Sequence, residues 1–395
     1  MTRSSPGSTL RLLQTACYYL LTVTVGFIVA AWGPSLPSLA DHTGTSLGQI
    51  GLLFTTNSLG FLLGALLAGG IFDSIPGHRA IVPGLAVVTL AFFLIPLITS
   101  LWLLVAVAFV NGIASAMLVV GPNVLLARIH QENVGPWLNG LHFFFGVGAF
   151  FSPILIAQVL SATGDVVWAF RAIALGALLC GVWMATLASP PLPPPPTSHE
   201  ESRLRWPILL PIALFFLLYT GAEQSYAGWL FSYTTALYPG SDLQAGYLTS
   251  AFWGAFTIGR LLAIPVAARV KASTLVFVAL SGAALSLGLL LLAPSLDGLW
   301  VGTLALGLMM ASIFPTMLVF ARSRMPLTGR VTGVFFSASG VGGMTLPLLS
   351  GQLFVGVGPR LVMAVQLVAV IAMLGVFAGV NLAGRRAAEV EGGVV

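Results

Sequence analysis

Apolar runs near or above the ~20 residues that cross a bilayer recur along this chain at about 11–39, 46–72, 79–99, 101–128, 136–161, 166–188, 206–237, 243–268, 272–293, 298–321, 329–355 and 359–383. Hydrocarbon offers no water to pair with backbone N–H and C=O groups, so runs of this length fold as helices that satisfy themselves. The fold class read from the sequence is an all-α membrane protein with twelve transmembrane helices. Composition closes the soluble alternative, because 57% of the residues are hydrophobic and only 7% charged, where a soluble domain carries roughly 25% charged residues.

The formal net charge of +5 does not mark a nucleic-acid binder. The basic residues sit in short clusters between apolar runs, as the orientation rule for membrane helices requires. Arg3, Arg11, Arg79, Arg128, Arg203, Arg205, Arg269, Lys271, Arg322, Arg324, Arg330, Arg385 and Arg386 fall on one side, leaving Arg171, Arg260 and Arg360 elsewhere. Both termini are therefore expected in the cytoplasm, in a plasma membrane or bacterial inner membrane. The opposite loops are short and carry Asp41, Asp165, Asp242 and Asp297. The first run follows Arg3 and Arg11 and exceeds the about 7 to 15 apolar residues of a signal peptide, so it reads as a mature helix. Cys17 and Cys180 lie inside apolar runs and read as small core residues rather than a disulfide or a metal site.

Between the sixth and seventh runs lies SPPLPPPPTSHEESRLR, which can neither span nor pack. It divides the chain into an N-terminal six-helix half (1–188), a Pro-rich cytoplasmic linker (189–205) and a C-terminal six-helix half with a short basic tail (206–395). The halves repeat. Gly26, Gly33, Gln49, Gly51 and Gly64 meet Gly221, Gly228, Gln244, Gly246 and Gly259, and further along Arg128, Gly146, Gly148, Pro153 and Gln158 meet Arg322, Gly340, Gly342, Pro347 and Gln352. Two repeats in the same orientation are the plan of transporters whose halves rock about a central site.

The repeat also shows where symmetry is broken. Glu223 aligns with Ile28 and Arg260 with Ala65, so both charges belong to the second half. Glu223 lies in YTGAEQSYAGWLFSY, where helical spacing puts Tyr219, Glu223, Tyr226 and Tyr233 on a face expected to be wet, and Gly221, Ser225, Gly228 and Ser232 on a face expected to be packed. An acid here is either a protonation, ion or substrate site, or the fixed partner of Arg260. In the first half the polar candidates are Asn57, Asn111, Asn123, Asn139 and His142. Asn57 shares a face with Gly60, Gly64 and Ala68 and either bonds across a helix contact or touches substrate. His142 lies one turn from Asn139 and serves as a site or gate residue, or as a satisfied helix contact. Gln224, Tyr226, Trp229 and Trp253 complete the substrate candidates, with aromatic rings suited to stacking on a sugar or to filling the interface belt. No HExxH, GxSxG, P-loop or CxxC occurs, and the one mid-span acid has no second carboxylate for paired acid/base work, so no enzyme, cofactor or metal is expected.

GGIFDSIPGHR, with Gly69, Asp73, Gly77 and Arg79, resembles the loop signature of the major facilitator superfamily. FTIGR from Phe256 is similar to the eighth-span motif of the fucose:proton symporter family. NGLHFFFGVGA from Asn139 and YTGAEQSYAGWLFSY resemble the sodium-dependent glucose transporter-like branch related to that family. The resemblance implies a sugar transporter, with Gly69, Asp73, Gly77 and Arg79 as a gating motif and Asn139, His142, Glu223 and Arg260 at motif positions; a monomer is expected, and Glu223, the only carboxylate near mid-span, is the expected ion-coupling residue. The fucose symporters carry acids in their first and fourth spans; these helices here do not. The ion is thus a proton, sodium or none. Proton-driven efflux of small amphiphilic compounds, or a receptor or scaffold that senses a ligand without moving it, are the competing readings.

Overall fold

The computed structural model of the protein describes residues 6–131, 134–192, 206–292, 295–325 and 329–392. Among them are twelve spans long and apolar enough to cross a membrane, and every element is a helix. The chain folds as two compact units, Met1–Thr197 with Ser241–Ser250, and Ser198–Gly240 with Ala251–Val395. Most of the linker, 193–205, lies outside the described residues, and with it Arg203 and Arg205, as does Arg3.

The first unit holds α1 (Pro6–Thr43), α2 (Leu47–Ile50), α3 (Leu52–Ser74), α4 (Gly77–Leu94), α5 (Leu101–His130), α6 (Val134–Thr163) and α7 (Val167–Thr186). The second span starts at α2 because Ser46 forms a capping box with Gln49: its backbone N–H donates to Oε1 at 3.0 Å and its hydroxyl accepts from the Gln49 N–H at 3.3 Å. α1 packs on α6, α3 on α5, and α4 on α7.

The second unit holds α8 (Trp206–Leu237), all but the first turns of α9 (Asp242–Ala267), and α10 (Ala272–Leu292), α11 (Leu296–Met310), α12 (Ile313–Arg322), α13 (Gly329–Gly356) and α14 (Arg360–Gly392). α11 and α12 form one span broken at Ala311 and Ser312. Pro315 explains the break, since it has no N–H to donate back to the Ala311 carbonyl. α8 packs on α13 and α14.

The sequence repeat is also a repeat of helix contacts. A Cβ placed on Gly148 of α6 would overlap the Val23 carbonyl of α1, and one on Gly342 of α13 would overlap the Leu217 carbonyl of α8. Gly112 against Asn57 and Gly307 against Phe252 form a second matching pair. Each unit thus brings two backbones together where no side chain fits, the contact that membrane helices use in place of a hydrophobic drive.

Candidate functional site

The second half of α8 is closed on almost all sides. From Gly221 to Thr234 every position is buried except Glu223 and Gln224. The face expected to be wet is dry: Tyr219, Tyr226 and Tyr233 are all fully buried. Each hydroxyl is used within the unit, Tyr219 donating to the Met310 carbonyl at 3.0 Å, Tyr226 meeting the Thr303 hydroxyl at 2.8 Å and Tyr233 donating to the Leu290 carbonyl at 2.9 Å. Helical spacing counts tyrosine as polar, but with its hydroxyl paired the ring packs like phenylalanine. The Met310 carbonyl is on offer because α11 stops there.

The opposite face is packed as expected. Ser225 Oγ donates to Ser350 Oγ at 2.7 Å, and Gln366 Nε2 of α14 donates to Ser225 Oγ at 2.7 Å. Trp229 is buried with its indole N–H on the Pro347 carbonyl at 2.9 Å. Spacing along α8 does not reveal this knot, whose members come from three helices.

Glu223 therefore sits in a gap in a sealed helix. The Tyr219 hydroxyl lies beside its carboxyl, and the Arg260 charge acts on it. Arg260 is half-buried, its guanidinium 4.5 Å from the centroid of Phe256. Phe256 in turn meets Trp253 edge-on at 5.8 Å, and Trp253 meets Phe252 at 5.3 Å, with Phe252 against Tyr226 at 4.9 Å. This aromatic run fixes Arg260 and Trp253 on α9 relative to α8. It joins Tyr226, Trp253 and Arg260 within one unit.

In the first unit the candidates are dispersed. Asn57 donates across the helix contact to the Ala108 carbonyl of α5 at 3.2 Å. Asn111 is fully buried, and neither of its amide atoms has a hydrogen-bond partner. Asn139 and His142 are exposed on α6. Asn123 turns back on its own helix, donating to the Val119 carbonyl at 2.8 Å.

The Gly69 to Arg79 stretch is built around a cation that the sequence marks only by orientation and by the repeat. Arg128 of α5 donates to the Phe72 carbonyl at 2.8 Å and lies 3.6 Å from the Asp73 carboxylate. Its recurrence as Arg322 in the repeat was the available signal. Gly77 is buried against Leu125, whereas Gly69 and Arg79 are exposed. His78 is held on both ring nitrogens, Nδ1 at 3.0 Å from the Leu187 carbonyl and Nε2 at 2.8 Å from the Tyr18 hydroxyl. Its backbone N–H donates to Ser189 Oγ at 3.3 Å, so the loop is tied to the chain leaving α7. Among the described residues no cluster of three or more His, Cys, Asp or Glu side chains offers a metal site.

Residues 18–347 match the family description "Major Facilitator Superfamily". The chain belongs to the major facilitator superfamily. Members are membrane transporters rather than enzymes, and this one is a secondary transporter of a small solute. It is 26% identical to the sodium-dependent glucose transporter 1A of Mus musculus over 85% of this chain and 88% of that protein. It is 27% identical to the major facilitator superfamily domain-containing protein 4A of Homo sapiens over 87% of this chain and 86% of that one. A solved structure of a point mutant of the nucleoside transporter NupG superposes with a TM-score of 0.77 at 13% identity, covering 94% of this chain and 99% of that chain. That likeness is one of superfamily fold.

Proposed function

We propose that this superfamily member moves a neutral hydroxylated solute, a monosaccharide such as a hexose, by alternating access, with Glu223 carrying the coupling ion. The observation that carries the reading is the opening at Glu223 and Gln224 in a helix otherwise buried from Gly221 to Thr234. A carboxylate at mid-span costs about 2.5–3.5 kcal/mol on insertion scales and persists where it does work. The glucose transporters among its relatives support a sugar. So does a set of amide and indole groups that can meet hydroxyls and the apolar faces of a pyranose. Gln224, Trp253 and Arg260 are the substrate-facing partners in this reading, with Asn139 and His142 as exposed polar groups of α6. Tyr226 and Trp229, with polar atoms already paired, frame the site.

Tyr219 gives Glu223 a reason to exchange a proton. The single proton of the Tyr219 hydroxyl is held by the Met310 carbonyl at 3.0 Å. An ionised Glu223 must recruit the tyrosine proton and release the carbonyl at the α11 break. Tyr219→Phe deletes the buried bond to the Met310 carbonyl and Tyr226→Phe the buried bond to Thr303, each costing about 0.5–1.5 kcal/mol. Only Tyr219→Phe is expected to shift the pH profile of uptake. Equal profiles for the two variants remove Tyr219 from coupling.

Binding is tested by thermal stabilisation of purified protein across hexoses, nucleosides and hydrophobic cations. A hexose is expected to stabilise. Stabilisation by hydrophobic cations alone supports efflux instead. The reading also places both termini in the cytoplasm. Cys17 and Cys180 are buried, so a cysteine introduced at exposed Arg79 or Asp297 reports alone; labelling of both from the same side contradicts the orientation.

A further inference from the structure

Arg171, in the second turn of α7, is one of the three basic residues that the orientation rule leaves off the basic side. Its guanidinium lies 4.7 Å from the Trp168 ring centroid and 5.5 Å from that of Phe93 on α4. Both rings are surface groups, 59% and 47% exposed, and Leu90 and Leu97 beside them are exposed too. The cation is therefore set in an apolar outer face, where lipid is the solvent. Two ring contacts recover about 0.5–2 kcal/mol, less than a charge costs in such a place. Its Nε is buried and has no hydrogen-bond partner.

Asp165, the acid nearest to Arg171 along the chain, is committed elsewhere. Asp165, just before α7, sits 3.3 Å from His42 Nε2, and its other oxygen accepts the Val167 N–H at 3.1 Å. An acceptor for the guanidinium fork must come from the surroundings. The planar fork fits the two free oxygens of a phosphodiester. Trp168 is the kind of ring that settles at headgroup depth.

We propose that Arg171, bracketed by Trp168 and Phe93, binds the headgroup phosphate of an anionic membrane phospholipid whose chains lie along the exposed leucines of α4. With Asp165 engaged by His42 and the Val167 N–H, the charge of Arg171 is best met by a lipid with net negative charge. This site is independent of the transport reading and lies on the outer face of the first unit.

The test is native mass spectrometry of the full chain in detergent with equimolar phosphatidylglycerol and phosphatidylcholine. Wild-type protein is expected to retain phosphatidylglycerol about fivefold over phosphatidylcholine, as one arginine near an anionic surface predicts. Arg171→Gln should remove that preference and Arg171→Lys should keep most of it. Retention of the wild-type preference by Arg171→Gln overturns the proposal. A second arm uses wild-type protein alone and so decides even where a variant misfolds. Soluble glycerol phosphate should fail to displace the lipid; displacement at concentrations matching lipid would mean a bare phosphate site and overturn the assignment to lipid.

Discussion

Glu223→Gln is expected to leave sugar exchange intact and to abolish gradient-driven accumulation, so that internal and external sugar come to equal concentrations. Glutamine keeps the shape and much of the hydrogen-bonding capacity of the acid but removes its titrating charge. If Glu223 were instead only the partner of Arg260, the same substitution would leave a half-buried arginine uncompensated. Stability and both activities would then fall together. A second change, Arg260→Gln, would partly restore them. The Arg260 charge acts on Glu223, but Arg260 also rests on Phe256, which lessens its dependence on the acid. Proton-driven and sodium-driven uptake measured beside exchange, each corrected for folded protein, separate the two roles. Accumulation at the wild-type level in Glu223→Gln removes the coupling role.

Gly342→Val is expected to be among the most damaging substitutions away from the site. Its Cβ would overlap the Leu217 carbonyl, with the Gly221 nitrogen 3.1 Å away. Overpacking costs typically 1–3 kcal/mol, and a backbone obstacle cannot rotate aside, so about 3 kcal/mol is expected here. The displaced contact is the one that carries Ser225, Ser350 and Trp229, so α8 and with it Glu223 would shift. Gly148→Val should do the same to α1 and α6 through the Val23 carbonyl. Gly375 of α14 has open space within 4 Å of where a Cβ would stand and supplies the control. Thermal unfolding in detergent compares the three. A Gly342→Val protein that melts with Gly375→Val would show that the close approach is not what holds the unit.

Much of this architecture is legible in the sequence because hydrocarbon leaves few choices. Run length sets the spans, and glycines that recur in both halves, such as Gly148 and Gly342, mark where helices touch. The internal breaks are less legible. Pro315 signals the α11 break, but the use of the freed Met310 carbonyl by Tyr219 depends on a residue 91 positions away. The same limit explains the tyrosine face of α8. Whether a tyrosine faces water or packs dry turns on an acceptor that another helix brings. The Asn57 bond is hidden for a similar reason, since the Ala108 carbonyl comes within reach only where Gly112 lets α3 and α5 close up. Polar knots of distant residues, Ser225 with Ser350 and Gln366, leave no local pattern at all. By contrast Glu223, Gln224 and Arg260 stand out in sequence and structure alike, because a charge or amide in an apolar helix is conspicuous in both.

The most direct measurement is counterflow. Proteoliposomes loaded with unlabelled hexose and placed in trace labelled hexose, without any ion gradient, require only that the protein bind sugar and alternate. A transporter of hexoses gives a transient internal excess of label, present in the wild type and kept in Glu223→Gln. Label entering no faster than into protein-free liposomes, across the hexoses that bind, would contradict sugar transport.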